Sequence, residues 1–425
     1  MTSPIPYWSA TAPVFDSESN EPIAGRADVA VVGGGFTGLS AALALAERGA
    51  DVRLFEASTI ASEASGRNGG HCNNGLAVDF GAVASRFGRE RAREMYRAYD
   101  SGVDLVEALA SRHRIDCDFV RSGKLKLAAK PAHFDAMQRA QEVLAREVDV
   151  ETSIVARKDL NSEIGSECFH GGLLMRRSAS LHVGRFAVGL ASAAARAGAR
   201  IHQNACVSAI TANNGGFRIE TTRGAMTARE IVMATGVSAK GPFAWIRRRL
   251  VPVGSFIIVT APLSEAQVKA LMPGRRTFTT SLHVGNYFRL TGDNCLVFGG
   301  RARFAMSDPL SDRKSGAVLM SQLARIFPSL ANCKVDYCWG GLVDLTVDRL
   351  PRCGVHDGQH YATGLSGHGV QMSVYLGDMM GRAVAGETVQ NPWRDLSWPS
   401  VPLHFGRPWF LPLVGLYYRT LDRIG

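Results

Sequence analysis

Between Asp28 and Glu56 the chain reads strand, glycine loop, helix, strand and acid, a succession that admits few architectures. Val29, Ala30, Val31 and Val32 make a continuous apolar run, as a strand buried on both faces of a parallel sheet requires. Gly33-Gly34-Gly35-Phe36-Thr37-Gly38 follows at once with the spacing G-x-G-x-x-G. The pattern predicts a helix over Leu39–Arg48 closing at Gly49, then a second strand over Asp51–Phe55. Each glycine has its own task. Gly33 permits a tight turn, Gly35 lets backbone approach a pyrophosphate, and Gly38 lets helix and strand pack closely. The helix N-terminus offers amide donors and partial positive charge to phosphate. Glu56, eighteen residues beyond Gly38, is placed to accept from ribose hydroxyls. An acid there disfavours a 2′-phosphate and so argues against NADP. Taken alone, the fingerprint specifies a dinucleotide and leaves NAD and FAD open.

Composition removes several other classes. With 425 residues, 46% of them apolar and 20% charged, the chain can form two domains or one two-lobed enzyme. Ser, Pro, Asn and Glu cluster in its first stretch, before the fingerprint, where disorder is expected. The formal charge of +10 invites a nucleic-acid reading, but eight Lys and forty Arg are scattered along the chain. The dense run Arg247-Arg248-Arg249 is short and has no interleaved aromatics. A solvated basic surface and no nucleic-acid partner are therefore expected, with a funnel for acidic substrates as the alternative. The eight cysteines form no CxxC pair and stand at no zinc-ligand spacing with His. Reduced thiols, a cytoplasmic setting and no metal site are expected. No secretory signal pattern is visible, and no apolar run reaches the ~18 residues of a membrane span. Trp409–Tyr418 is apolar and aromatic but short, and is expected to pack on the fold without contacting a membrane.

Past Glu56 the chain does not continue as a regular Rossmann repeat. It enters Ala64-Ser65-Gly66-Arg67-Asn68-Gly69-Gly70-His71, read as a loop too rich in glycine to be helical. Periodicity predicts helices over Gly88–His113, Pro131–Arg146 and Phe186–Ala197, a strand Arg200–His202, and a strand pair over Phe119–Ala128 around Gly123. A segment Ile201–Ile210 is followed by a strand Ala228–Ala234 ending in Ala234-Thr235-Gly236. Tyr287–Leu290 and Leu296–Arg301 read as paired strands; Trp339-Gly340-Gly341 precedes Thr346, Asp348, Arg349, Leu350 and Pro351. Tyr361–Gly369 is a strand, glycine loop and helix start.

In this order the motifs resemble the D-amino-acid oxidase, glycine oxidase and sarcosine oxidase superfamily of flavoproteins. The wording S-G-R-N-G-G resembles its gamma-glutamylputrescine oxidase branch in particular, and the likeness covers nearly the whole chain. The resemblance implies an α/β (α+β two-lobed) fold: a Rossmann-like FAD-binding lobe and a second, mixed antiparallel-sheet substrate lobe. It assigns 25–113, 180–237 and 340–388 to the first, 114–179 and 238–339 to the second, and 389–425 to a tail packing on the fold.

For FAD it implies contacts from Gly33, Gly35, Phe36, Thr37, Gly38 and Glu56, and from the loop Arg67, Asn68, Gly69, Gly70 and His71. The backbone of Val207 would meet the adenine. Ala234, Thr235 and Gly236 would add a second contact, and Gly364, Gly367, His368, Gly369, Val370 and Gln371 would set a helix N-terminus against the flavin pyrimidine. Non-covalent FAD is expected, with His71 or Cys338 as alternative attachment points. The implied reaction is hydride transfer to flavin N5 from a carbon beside an amine nitrogen, imine hydrolysis to an aldehyde, and reoxidation by O2 to H2O2. Such chemistry requires an oriented C–H and a neutral amine more than acid–base machinery. His71, Arg67, His368, Gln371 and Tyr287 are the catalytic candidates, and Trp339 and Arg289 could line the pocket. Two departures from the sarcosine-type pattern stand out. Gln371 replaces a Lys that binds the substrate carboxylate, which shifts the expectation from simple α-amino acids toward amines or amides of larger acids. The strand Cys295–Gly300 lacks a Lys associated with oxygen activation, which keeps a dehydrogenase using a quinone or carrier protein as an alternative. A flavin lobe of an RNA-modifying protein and a flavin-bound regulatory module are further alternatives.

Overall fold

The structure is a computed structural model that describes residues 2–237, 241–300 and 304–424. Two eight-stranded sheets organise it. In the first, Arg26–Val32 lies parallel between Gly224–Met233 and Val52–Phe55, with Arg200–His202 outside the latter. Gln359–Thr363 and Arg352–His356 extend the other side, and a hairpin of Val207–Asn213 and Gly216–Thr221 joins Gly224–Met233. The segment Ile201–Ile210 is thus split between two strands, with Val207 opening the second.

The fingerprint helix spans Phe36–Ala46, beginning earlier than its apolar periodicity suggests because Gly35 is its N-cap. All eleven residues are buried, as befits a helix apolar on every side. Fully buried Leu39 and Leu45 contribute about 1.5–3 kcal/mol each. Helix Gly369–Val384 lies against it backbone to backbone. A Cβ on Gly377 would overlap the Thr37 carbonyl, and one on Gly381 would stand 2.8 Å from the Ala41 oxygen.

The second sheet runs Val335–Leu345, Val251–Thr260, Leu296–Gly300, Asn286–Leu290, Thr277–Thr280, Lys124–Leu127, Gly171–Met175, Ser153–Ala156. Every neighbouring pair is antiparallel except Thr277–Thr280 with Lys124–Leu127, so the sheet is mixed as expected. Its two faces differ because strand side chains alternate. Phe278, Phe288 and Phe298 stack on one face, with ring centroids 5.2 and 5.6 Å apart. The other face carries Tyr287, Thr279 and Lys126 in one register row. Position 339/340 falls inside the strand Val335–Leu345. The end of the expected strand at Arg301 lies outside the described residues.

Three sequence expectations need correction. Phe119–Ala128 holds one strand, Lys124–Leu127, and a single bridge from Val120 to Ser180; Gly123 (φ +78°) begins the strand and does not turn a hairpin. Ala64–Arg67 is a helical turn despite its glycine. Gly66 is required there, since a Cβ would overlap the Ala61 carbonyl oxygen. The N-terminal segment is packed, because Tyr7, Trp8 and Phe15 are buried and outweigh the polar residues around them. Trp8 Nε1 donates to the Asn68 carbonyl at 2.6 Å. At the other end, helix Leu411–Ile424 places Leu411 and Gly415 against Phe304. Among the described residues no helix is long and apolar enough to cross a membrane.

Candidate active site

The turn after Arg26–Val32 is built by exclusion of side chains. Gly33 takes φ +111°, and a Cβ there would stand 2.7 Å from the Ala234 oxygen. A Cβ on Gly38 would overlap the Gly33 carbonyl oxygen, so strand and helix approach only without one. A Cβ on Gly35 would sit 2.9 Å from Ser65 Oγ, which accepts the Phe36 amide at 3.0 Å. Thr37 is buried within the helix. The Glu56 carboxylate accepts the Gly34 amide at 2.7 Å and the Ser58 amide at 2.9 Å. Burial raises its carboxyl above the usual value, and these amides oppose that shift.

The Arg67–His71 segment is fixed by groups distant in sequence. Arg67 donates to the Ser62 and Gly340 carbonyls, and Trp339 Nε1 donates to the Arg67 carbonyl. Asn68 donates back to Ala64 and Ser65 and accepts the Gly70 amide at 2.8 Å. These side chains therefore shape the segment. Arg289 holds it from below: its guanidinium, buried over the Trp8 ring, donates to Gly69 O at 2.8 Å, Leu290 O at 3.0 Å and Leu181 O at 2.6 Å. Burial lowers its pKa to about 10, which leaves it charged at neutral pH. Arg289 is thus a clamp on backbone, and it also lines a cavity together with Trp8, Asp118 and His182.

His71 and Tyr287 meet edge to face at 5.4 Å. Burial and the Arg289 charge push the His71 imidazole down to about 3, so it is neutral at physiological pH. The Tyr287 hydroxyl shares a hydrogen bond with Ser255 Oγ at 2.9 Å. Its ring is sandwiched between Gly69 and Gly299, both too close to tolerate a Cβ. His368 stands at the N-terminus of helix Gly369–Val384 and packs edge-on to Tyr99. Val370 and Gln371 are buried in its first turn; Gln371 Nε2 donates to the Asn73 carbonyl at 2.6 Å, while its Oε1 is buried without a partner. Structure and chain together bring His71, Tyr287 and Gln371 to one region. Val207 pairs with Thr221 in the hairpin, and Glu56 directly follows the strand Val52–Phe55.

Two groups escaped the sequence reading. Asp344 is half-buried, and its Oδ2 accepts the Gly364 amide at 2.9 Å and Thr363 Oγ1 at 3.4 Å. Thr363 Oγ1 also reaches the Thr235 carbonyl, so one carboxylate joins the Ala234–Gly236 end to the closing loop. Burial raises the Asp344 carboxyl above its usual value against these donors. Only an acid in an apolar strand (Leu342-Val343-Asp344-Leu345) could have signalled it. The second is Lys124, whose Nζ donates to the Asn74 carbonyl at 3.2 Å. Burial pushes its ammonium from 10.5 to about 7. The unfolded chain then binds more protons between those values, so this group makes stability rise with pH across that window. Lys124→Met is accordingly expected to raise Tm more at pH 6 than at pH 10 in scanning calorimetry; the opposite ranking would refute the burial argument. Cys338, by contrast, turns its thiol toward Asp312 O at 3.5 Å, and a Cβ on Gly316 would lie 2.6 Å from its sulfur. It faces helix Pro309–Ile326, away from the cleft, and burial raises its pKa to about 11, so it offers no attachment point. All eight cysteines are free thiols, and no cluster of metal-ligating groups occurs among the described residues.

Residues 28–383 match the model of the FAD dependent oxidoreductase family. The chain belongs to this family. It is 31% identical over 431 residues to the gamma-glutamylputrescine oxidoreductase of Escherichia coli, covering 99% of this chain and 98% of that protein. A probable oxidoreductase of Haemophilus influenzae is 30% identical over 368 residues, covering 85% of this chain and 84% of that one. Among solved structures, glycine oxidase from Geobacillus kaustophilus superposes with a TM-score of 0.69 at 22% identity, over 89% of this chain and 98% of that one. The L-amino acid deaminase from Proteus vulgaris reaches 0.73 at 16%, over 89% and 98%. At those identities the superpositions speak to fold alone. The residues present fit the family's FAD. Thr235 Oγ1 and Gln371 Oε1 are buried without partners at the two motifs expected to meet it. A Cβ on Gly236, Gly367 or Gly369 would meet nothing nearer than 3.9 Å, so these glycines are loosely surrounded, unlike those packed in the first turn.

Proposed function

We propose that this protein oxidises the carbon–nitrogen bond of an amine, yielding an imine that hydrolyses to an aldehyde, with O2 as the electron acceptor and H2O2 as its product. The carrying observation is a set of uncharged polar groups brought to one region: His71 held neutral, the Tyr287 hydroxyl, and the Gln371 amide. A site that must accept a neutral amine and orient its C–H is served by hydrogen-bonding groups without formal charge. Non-covalently bound FAD supplies the hydride acceptor. Around it the chain's own groups divide the work. The Gly33–Gly38 turn and helix N-terminus receive the pyrophosphate, Glu56 the ribose hydroxyls, and Val207 the adenine. The Arg67–His71 segment, clamped by Arg289, would hold the flavin portion, and the helix from Gly369 would offer its amides to the ring. His71, Tyr287 and His368 orient the amine. This reading keeps 25–113, 180–237 and 340–388 as the cofactor lobe and places the protein in the cytoplasm, which suits its free thiols. It also draws on the gamma-glutamylputrescine oxidoreductase likeness for an amine substrate.

The test is anaerobic mixing of the holoprotein with a panel of amines and amino acids, followed at the flavin band near ~450 nm, then admission of air. Amines should bleach the band and air restore it with peroxide formation. Bleaching confined to α-amino acids would overturn the substrate class, and bleaching that air does not reverse would replace oxidase by dehydrogenase. Acid precipitation of the same sample should leave a colourless pellet.

A further inference from the structure

Helix Leu411–Ile424 divides its residues between two sides. The inner side is committed. Leu411 is buried, and a Cβ on Gly415 stands 2.8 Å from the Phe304 side chain. Tyr418 stacks on Phe304 and His283, with ring centroids 5.9 and 5.1 Å apart. The Asp422 carboxylate accepts the His283 and Val284 amides, each at 2.8 Å, and its carbonyl accepts Lys130 Nζ at 2.6 Å. The outer side is apolar and bare. At about 3.6 residues per turn, Leu413, Leu416, Tyr417 and Ile424 share it, each 60–80% exposed. Trp409, one turn ahead of Leu413, is equally bare, and its Nε1 donates to the Leu403 carbonyl at 3.2 Å. That bond brings the exposed Leu403 alongside, with exposed Phe405 two residues on. A chain that stays alone in water rarely leaves so many large apolar side chains uncovered together. The apolar residues of Trp409–Tyr418 thus divide between packing and solvent, where composition alone suggests packing throughout.

Charge decides what covers this face. Arg248, Arg407, Arg419 and Arg423 are exposed, and none is paired with an acid among the described residues. Arg248, the middle of the triple-arginine run, lies over the Phe405 ring at 5.0 Å. Arg419 and Arg423, one turn apart, follow on one flank of the helix's outer side. Between Leu396 and Ile424 the sequence has a single acid, Asp422, and it is turned inward. Two copies joined face to face would set arginines against arginines with no acid from this segment to meet them. A surface of lipid phosphates supplies the opposite charge and accepts the apolar side chains as well. We propose that this face docks the protein peripherally on an anionic phospholipid bilayer. Trp409, Leu413, Leu416 and Tyr417 enter the boundary between headgroups and acyl chains, and the arginines meet lipid phosphates. The inner side keeps its contacts, so docking needs no rearrangement of the helix. Nor does it need a crossing helix, and none is present among the described residues. The inference stands apart from the amine-oxidation reading, since it uses none of the residues assigned to flavin or amine.

Flotation of the holoprotein with lipid vesicles tests this. Phosphatidylcholine vesicles containing about one-third phosphatidylglycerol should carry the protein up the gradient, and pure phosphatidylcholine vesicles about tenfold less of it. Added salt should release the bound protein. Leu413→Ser combined with Leu416→Ser should lower the partition coefficient on anionic vesicles about tenfold or more. Arg419→Ser combined with Arg423→Ser should lower it about tenfold as well, and only on the anionic vesicles. Both variants should keep the flavin content and Tm of the wild type, because the side chains they remove are exposed. Trp409→Phe should still float, but should lose part of the blue shift in tryptophan emission that the wild type shows on anionic vesicles. A wild type that does not float, or floats equally on neutral and anionic vesicles, would overturn the proposal. So would a concentration-dependent dimer, seen by sedimentation velocity and dispersed by Leu413→Ser, in a protein that binds no vesicle; the face would then belong to a second copy of the chain.

Discussion

Gly38→Ala is expected to yield a protein that purifies without flavin. The added methyl would overlap the Gly33 carbonyl oxygen, and that oxygen belongs to backbone which no rotamer change can move. Either the helix Phe36–Ala46 retreats from the sheet or the turn opens. Both outcomes disperse the amides meant for the pyrophosphate. The helix is buried on every side, so a retreat also strips contacts from Leu39 and Leu45. A loss of about 3 kcal/mol or more is expected. Gly49→Asn is the control, since Gly49 lies just beyond the C-terminal end of the same helix, has open space around it, and at φ +80° is a position Asn tolerates. The ratio of flavin to protein absorbance and the Tm of each purified variant decide the matter. A yellow Gly38→Ala protein with the wild-type Tm would show that close helix–strand packing is not what this glycine provides.

The second large effect is expected at Arg289→Leu. Leucine preserves apolar contact with Trp8 but withdraws donors from the carbonyls of Gly69, Leu181 and Leu290. Each buried acceptor left unmet costs about 1–3 kcal/mol, and partial relaxation brings the sum to about 3–5 kcal/mol. The loss should fall on the flavin side, because Gly69 and Gly70 would no longer be held at the edge of His71. Faster flavin release than wild type, measured as fluorescence recovery after dilution, should accompany the lower urea midpoint. Arg289→Lys should recover part of the stability, since an ammonium can reach one carbonyl but lacks the fork that spans three. Unchanged flavin release in a destabilised Arg289→Leu protein would separate the clamp from the cofactor.

These two residues mark the boundary of what sequence conveys. Gly38 was legible because its partner, Gly33, is five positions away and the fingerprint spacing encodes that contact. The same holds for the strands and helix around it. Arg289 was read as a pocket residue, but its hold on backbone went unseen, because its partners Gly69 and Leu181 lie more than a hundred residues upstream. Asp344 went unseen for a similar reason: its value comes from gathering the Gly364 amide and the Thr363 hydroxyl, which also reaches the Thr235 carbonyl. The helical turn Ala64–Arg67 was missed because helix propensity counts Gly66 as a breaker, whereas here close approach to Ala61 demands it. The polar composition of the N-terminal segment concealed Trp8, whose partner is the Asn68 carbonyl.

The backbone contact between Thr37 and Gly377 has a consequence for how the chain is made. The two residues stand 340 positions apart, yet neither helix can cover its neighbour's small-residue face until both exist. During synthesis the fingerprint helix leaves the ribosome early and waits with that face bare until nearly nine-tenths of the polypeptide has been made. Vitamin loading is therefore a late event, and a nascent chain stalled before Gly369 should depend on holdase chaperones however complete its first sheet looks.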